Sequence, residues 1–195
     1  MADPVWSLIV LAGGSSSRIG GADKAQLVFD GRTLLERICD DTPRGVQIVV
    51  AGPKRPVTRE VCFASEDPPG GGPVAGLVAA LAHADWERVA IVSVDMPWAA
   101  EAALRMVDLL ADRRALVAKD QQGRRLLCPS AWQTHRLGEV LSPFGDGRDL
   151  PMRTVLEGVD TREWTPSASE PHLLRDVDTL DDLARIAAMR ADDVR

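Results

Sequence analysis

The sequence predicts an α/β fold, a three-layer α/β/α sandwich with helices on both faces of a mainly parallel, mixed sheet. Three observations carry that expectation. The runs Val5–Ala12, Val46–Ala51 and Val89–Val94 are apolar at almost every position, as strands buried on both faces are. Helical patterns separate the runs, and strand–helix alternation marks parallel crossover units. The length, 195 residues, suits one domain over 1–195 that buries its own core without disulfides or a structural metal.

In chain order, Val5–Ala12 is broken only by Ser7 and stops at Gly13-Gly14. Thr33 and Glu36 have capping-box spacing and start a helix. Val46–Ala51 is a second strand, ended by Gly52-Pro53, and Val61–Ala64 a short third. The stiff loop Pro68-Pro69-Gly70-Gly71-Gly72-Pro73 precedes a small-residue helix, Val74–Ala84, suited to close packing on a sheet. Val89–Val94 runs directly into Asp95, and Ala99–Ala111 is amphipathic, with Leu104 and Val107 on one face. Ala115–Ala118 and Arg125–Cys128 read as strands around a turn at Asp120-Gln121-Gln122-Gly123. Helices are expected at Trp132–Leu141 and Met152–Glu157, then a strand near Leu173-Leu174 and a closing helix capped by Thr179 and Asp182.

Composition removes several classes of function. Lys and Arg number 23 against 29 Asp and Glu, a net charge of −6, which disfavours nucleic-acid binding through a basic surface. Cys39, Cys62 and Cys128 lie far apart with no C-x-x-C pair, and the three histidines are scattered, so ordinary core or surface roles are expected for all six. No run approaches the ~18 apolar residues of a membrane helix, and the N-terminus lacks a basic leader region. The expectation is a cytoplasmic protein without membrane or nucleic-acid partners.

Ligands of open α/β sheets bind beyond the carboxyl ends of the strands, and three segments concentrate chemistry at such ends. The first runs from Leu11, Ala12, Gly13 and Gly14 through Ser16 and Arg18 to Asp23-Lys24. Its glycines let main-chain N–H groups approach an anion. Arg18 forks onto phosphate oxygens and Lys24 supplies a compact charge. Neither the P-loop nor the dinucleotide fingerprint is present. A surface turn with two solvated cations is the bland alternative; strand, glycines and both cations together favour a nucleotide-phosphate site. The second is Asp95, at the end of the most apolar run: it either holds Mg²⁺ beside substrate phosphates or caps the next helix. The third is Glu66-Asp67-Pro68-Pro69-Gly70-Gly71-Gly72, where small residues let a ligand lie against backbone or merely shape helix–sheet packing.

The first segment resembles the signature L-A-G-G-x-S-x-R-M-G-x-x-D-K of molybdopterin nucleotidyltransferases, with Ile19 in place of Met. The likeness is to molybdenum cofactor guanylyltransferases in particular. It continues through Asp95-Met96-Pro97, similar to the family's D-x-P metal position, and Gly72-Pro73-Val74-Ala75-Gly76, similar to G-P-L-A-G. The resemblance implies a Rossmann-like sandwich and a Mg²⁺-dependent transfer of GMP from GTP to molybdopterin, or its molybdenum form, with release of pyrophosphate. It implies catalytic roles for Arg18, Lys24 and Asp95, with Asp95 as metal ligand. It implies nucleotide contacts from Leu11, Ala12, Gly13, Gly14, Ser16, Arg18, Lys24, Asp67 and Asp95. Molybdoenzymes and other cofactor-assembly proteins are the partners it suggests. Gly145-Asp146-Gly147-Arg148 resembles a loop near the acceptor, where Arg148 either meets the pterin phosphate or is solvated. Asp176-Val177-Asp178-Thr179 stands where relatives carry N-x-N-T or D-x-D-T; Asp178 is either a second carboxylate near the metal or a helix cap. Ala51 stands where some relatives place a nucleotide-binding Asn, which moves base recognition toward the main chain of Leu11–Gly13. The alternatives are cytidylyl transfer to molybdopterin, transfer to another phosphorylated metabolite, and a non-catalytic protein that delivers nucleotide or cofactor.

Overall fold

The computed structural model describes residues 5–13, 23–111, 113–179 and 181–186. Along the chain run β1 (Ser7–Leu11), a short hairpin of β2 (Val28–Phe29) and β3 (Arg32–Thr33), and α1 (Leu34–Asp41). Then come β4 (Gln47–Ala51), β5 (Cys62–Ala64), α2 (Pro73–Leu81), β6 (Arg88–Ser93) and α3 (Ala99–Leu110). The second half holds β7 (Ala115–Lys119), β8 (Arg125–Gln133), α4 (Thr134–Leu141) and β9 (Arg162–Trp164). Seven strands form one sheet in the order β5-β4-β1-β6-β8-β7-β9. β5, β4, β1 and β6 are mutually parallel; β8 is antiparallel to both neighbours, and β9 is parallel to β7. The expected mixed, mainly parallel sheet is therefore present.

The strands are apolar throughout because both faces are covered. Leu8, Val10, Ile48, Val50, Ala90 and Val92 pack on one side with Leu35 and Ile38 of α1 and Met106 and Leu110 of α3. Ile9, Leu11, Val49, Ala51, Val89 and Ile91 point the other way, against Val74 and Leu77 of α2 and Leu137 and Leu141 of α4. The alternation within each strand thus separates two cores rather than core from solvent. α1 starts where its capping box places it: Glu36 N donates to Thr33 Oγ1 at 3.1 Å, and Thr33 N to Glu36 Oε2 at 3.2 Å.

Several local expectations need correction. Trp132, expected to open a helix, lies inside β8, where the ladder to β6 pairs it with Val89 and its ring is fully buried. Burial of the indole is made possible by Ser130 Oγ, which accepts from Nε1 at 2.9 Å. The strand expected at Leu173-Leu174 is a 3-10 turn, Pro171–Leu174, because Pro171 at its start presets a helical φ and has no N–H to give a ladder. The edge strand at that end of the sheet is instead β9, three residues long with two of them charged, too short for periodicity to register. The β2–β3 hairpin escaped notice for the same reason; it turns at Asp30 and Gly31, both at positive φ.

One cation holds the far end of α1. Arg59 donates to the carbonyls of Cys39, Thr42, Pro43, Arg44 and Val46, five acceptors at and beyond the helix C-terminus. These carbonyls have no intrahelical partner, and a cation there also complements the helix dipole. Arg59→Met keeps the stem and removes the donors. Loss of charge-assisted bonds to several acceptors is expected to lower unfolding free energy by about 2–3 kcal/mol. Urea denaturation measures it; a change under about 0.5 kcal/mol, the scale of an ordinary surface substitution, contradicts the clamp.

Candidate active site

Parallel pairing brings Leu11, Ala51, Ala64 and Ser93 to one edge of the sheet. The ladder extends one residue past the strands: Ala12 N donates to Ala51 O at 2.9 Å, and Val94 N to Leu11 O at 3.0 Å. Residues just beyond β1 and β6 are therefore held side by side on a rigid support.

Lys24 reaches this edge from a 3-10 turn, Lys24–Gln26, whose N-cap is Asp23; Asp23 Oδ1 accepts from Ala25 N at 3.0 Å. Ala25 is fully buried in the core beneath the turn. Lys24 Nζ donates to Asp95 Oδ2 at 2.8 Å and to Asp178 Oδ1 at 2.9 Å. The Asp95 side chain is 18% exposed and that of Asp178 44%. Asp95 is not a helix cap, since α3 begins at Ala99 with Trp98 as its uncapped N-cap. At the closing helix over 181–186, Thr179 exchanges hydrogen bonds with Asp182, the capping pattern the sequence predicts. The two strands of chain are locked together by Val177 N, which donates to Asp95 O at 2.8 Å, while the Val177 side chain is buried.

The electrostatics of this cluster follow from crowding. Desolvation lowers the Lys24 pKa, but hydrogen bonds to Asp95 and Asp178 and then their charges outweigh it, so the net shift is upward. Asp176 shifts upward too, first by desolvation and then by the charges of Asp178 and Asp95. Two carboxylates thus share one ammonium, and Asp176 feels the charges of both. Oxygens of Asp95 and Asp178 already converge on a single cation, the arrangement a divalent metal requires. Among the described residues no group of three or more His, Cys, Asp or Glu has metal-binding geometry. Two carboxylates completed by substrate phosphates suit Mg²⁺, which is seldom held by a full protein cage.

Beside the cluster lies a cleft of about 530 Å³, lined among others by Leu11, Gly13, Ala51, Gly52, Glu66 and Gly76. The N-terminus of α2 opens onto it through Gly72, at φ +90°, and Pro73. Gly76 sits on the cleft floor: a Cβ there would stand 3.6 Å from the Ala51 Cβ and 3.9 Å from Glu66 Oε2. Glu66 Oε1 accepts from the N–H groups of Gly70 and Gly71 at 3.0 and 3.1 Å, which fixes the carboxylate at the wall. A second loop braces that wall. Asp149 N donates to Gly71 O at 2.8 Å, and Arg148 Nη1 to Pro68 O at 2.6 Å. Gly71 has no room for a side chain, since a Cβ would come within 2.8 Å of the Ala75 Cβ and 2.9 Å of Arg148 Nη1.

The structure brings together Lys24, Asp95, Leu11, Ala12 and Gly13 from the expected set, and adds Asp178. Ala12 is buried, and it contributes backbone rather than cleft surface. Asp67 is exposed and does not line the cleft; its neighbour Glu66 does. Arg148 braces the Pro68 carbonyl. Gly14, Ser16 and Arg18 lie outside the described residues. Sequence reasoning passed over Glu66, although an acid directly before a Pro/Gly loop that needs N–H acceptors was a usable signal.

Residues 8–191 match the MobA-like NTP transferase domain family. A molybdenum cofactor guanylyltransferase of Xanthomonas euvesicatoria is 32% identical over 167 residues, 85% of this chain and 85% of that protein. Among solved structures, molybdopterin-guanine dinucleotide biosynthesis protein A from Archaeoglobus fulgidus superposes with a TM-score of 0.73 at 21% identity, covering 95% of this chain and 99% of that one. The 2-C-methyl-D-erythritol 4-phosphate cytidylyltransferase of Thermus thermophilus gives 0.72 at 19% identity, covering 95% and 98%. Both share the fold. The chain belongs to the MobA-like NTP transferase family and is a nucleotidyltransferase.

The cleft's role is open to a direct test. Gly76→Leu improves helix propensity and projects a side chain into the cleft. Nucleoside triphosphate affinity, measured by calorimetry, is expected to fall at least about tenfold, while the melting temperature holds. Unchanged affinity would place the nucleotide elsewhere.

Proposed function

We propose that this chain transfers GMP from GTP to molybdopterin or its molybdenum form, releasing pyrophosphate, as one cytoplasmic domain. The observation that carries the proposal is the convergence of Lys24, Asp95 and Asp178 at the strand ends, beside a cleft of nucleotide size. Guanine as the base is supported by the names of the curated relatives and by the chemistry of the cleft wall. Guanine carries adjacent N–H donors at N1 and N2, and Glu66 offers a tethered carboxylate as acceptor. Cytosine presents a single exocyclic amine and leaves that acceptor poorly matched. Ala51 offers no side-chain amide; among the described residues Glu66, Ser65 and the main chain at Gly13 are polar groups of the cleft that could read a base.

The reaction asks more for charge neutralisation and in-line positioning than for a general base, because the attacking phosphate is already ionised. Asp95 and Asp178 would hold Mg²⁺, whose positive charge supports the α-phosphate when it is bound. Lys24, released from the carboxylates, neutralises the triphosphate and the departing pyrophosphate. Gly13 lets the backbone approach the nucleotide closely. Gly14, Ser16 and Arg18 stand between Gly13 and Asp23 in the sequence, outside the described residues, and their assigned roles rest on the signature alone. A non-catalytic carrier has no use for a cation shared between two carboxylates, so turnover separates that reading.

Asp95→Asn keeps the shape and removes a charge; its single-turnover rate with GTP, Mg²⁺ and molybdopterin is expected to fall about 10²–10³-fold. Asp178→Asn, at the more exposed carboxylate, is expected to lose less. Near-normal turnover of the Asp95 variant at saturating Mg²⁺ would sink the metal assignment. Glu66→Gln tests the base. A site built to hydrogen-bond one base rejects another because its polar groups go unpaired, so the GTP-over-CTP preference in pyrophosphate release is expected to shrink about tenfold or more. A wild-type enzyme that uses CTP as well as GTP would move the assignment to cytidylyl transfer.

A further inference from the structure

The segment between β4 and β5 carries two arginines: Arg59 clamps the end of α1, and Arg55 faces the other way, toward the chain that leaves β1. Pro53, Lys54 and Pro56 around it are exposed, yet the Arg55 side chain is only 8% exposed. All three of its nitrogens donate. Nε donates to Asp23 Oδ2 at 2.6 Å and Nη2 to Asp23 Oδ1 at 3.0 Å, a two-pronged pair. Nη2 also donates to Ala12 O at 2.9 Å, and Nη1 to Pro53 O at 3.1 Å. One guanidinium therefore joins the residue where the chain leaves β1 to the residue where it returns ahead of Lys24.

The fold makes room for this contact. Gly52, at φ +146°, lies so close that a Cβ would stand 3.1 Å from the Ala12 carbonyl and 3.2 Å from Arg55 Nη1. Asp23 has two duties on its carboxylate. It receives Arg55, and Oδ1 also caps the turn by accepting from Ala25 N. The chain of contacts thus runs from Ala12 at the end of β1, through Arg55 and Asp23, to the first residue of the turn, Lys24.

We propose that Arg55 is a positioning residue for Lys24, holding its turn from behind so that the ammonium stays at the phosphate site while its partners in front are exchanged. Lys24 is otherwise fixed by Asp95 and Asp178. Those are the groups the chemistry draws away when phosphates and a divalent cation arrive. Arg55 and Asp23 take no part in that exchange, so they keep the turn in register throughout. A lysine at position 55 has no fork and cannot serve Asp23 and Ala12 together.

The proposal rests on the reading of Lys24 as a phosphate-binding group, and its test uses inorganic tripolyphosphate, which carries no base and needs no acceptor. Affinity is measured by calorimetry for the full chain, for Arg55→Met, Asp23→Asn and Lys24→Met, and for the paired variants, with urea denaturation as folding control. Arg55→Met and Asp23→Asn are each expected to weaken binding about tenfold, and together no more than either alone. Arg55→Lys is expected to recover stability without recovering affinity. In the Lys24→Met background, Arg55→Met is expected to cost nothing further, because the residue it positions is gone. An equal loss with and without Lys24 means a merely structural role and overturns the proposal. So does an unchanged affinity in Arg55→Met, and so does a wild-type protein that does not bind tripolyphosphate. Failure of the guanylyl reading is seen separately, as absence of pyrophosphate release from GTP, and leaves this cycle decisive.

Discussion

The parallel pairing of β1 with β6, Leu11 beside Ser93, is the constraint on which the rest of the molecule depends. Both strands are almost entirely buried on both faces. With α1 and α3 on one face and α2 and α4 on the other, neither face can admit a ligand. The strand ends are the remaining route to a rigid support, and polar chain emerges there because the ladder is exhausted. Chemistry collects at this edge as a consequence of packing. The register of the apolar strands places Asp95, while Lys24 is brought to it on the turn behind Asp23 and Asp178 by the Val177–Asp95 hydrogen bond.

Within that frame the Lys24 cluster is a site in electrostatic tension. Two carboxylates share one cation, and a third, Asp176, adds charge nearby. The ammonium satisfies the acids while no ligand is present, and the pair Asp95–Lys24 is sheltered enough for its attraction to exceed that of a surface pair. Phosphate oxygens offer Lys24 an alternative of the same kind, and a divalent cation offers the acids a better one. The same side chains can therefore change partners without leaving any charge uncompensated. That exchange is feasible only if their backbones do not move, which is what the Val177–Asp95 hydrogen bond and the Arg55–Asp23 pair secure on either side.

Much of this was readable in the sequence, for physical reasons that also explain what was not. The strands at Val5–Ala12, Val46–Ala51 and Val89–Val94 were legible because doubly buried strands leave continuous apolar runs. Thr33 announced α1 because a capping box is a local contract between residues three apart. Asp95 was legible because it follows a strand that fixes its place, and Lys24 because it ends the glycine-rich segment that leaves β1. Trp132 was misread because an indole followed by a helical pattern gives no local hint of the β6 ladder beside it. β9 and the β2–β3 hairpin were too short for any period. Glu66 and Arg55 were hidden because their meaning lies in partners distant in sequence or in backbone groups: Gly70 and Gly71 for one, Ala12 and Asp23 for the other. Whether Asp95 capped a helix could be decided only once the helix start was known.

Base selection illustrates the same division more sharply. An amide after the second strand is the kind of feature a sequence reveals, and at Ala51 it is missing. The cleft nevertheless has a carboxylate at its wall, because the Pro/Gly loop ties Glu66 down with two backbone N–H groups. That loop holds its shape through Gly71, which admits no Cβ, and through Asp149 and Arg148 reaching across from a loop nearly eighty positions later. A carboxylate held only by its own rotamer would swing toward solvent; one held at Oε1 presents Oε2 at a fixed place beside Gly76. Selectivity in such a site does not belong to a single side chain. It belongs to the interlock of two loops, and a substitution in either loop should alter base preference before it alters the phosphate chemistry at Lys24 and Asp95, which is braced independently from the other side of the sheet edge.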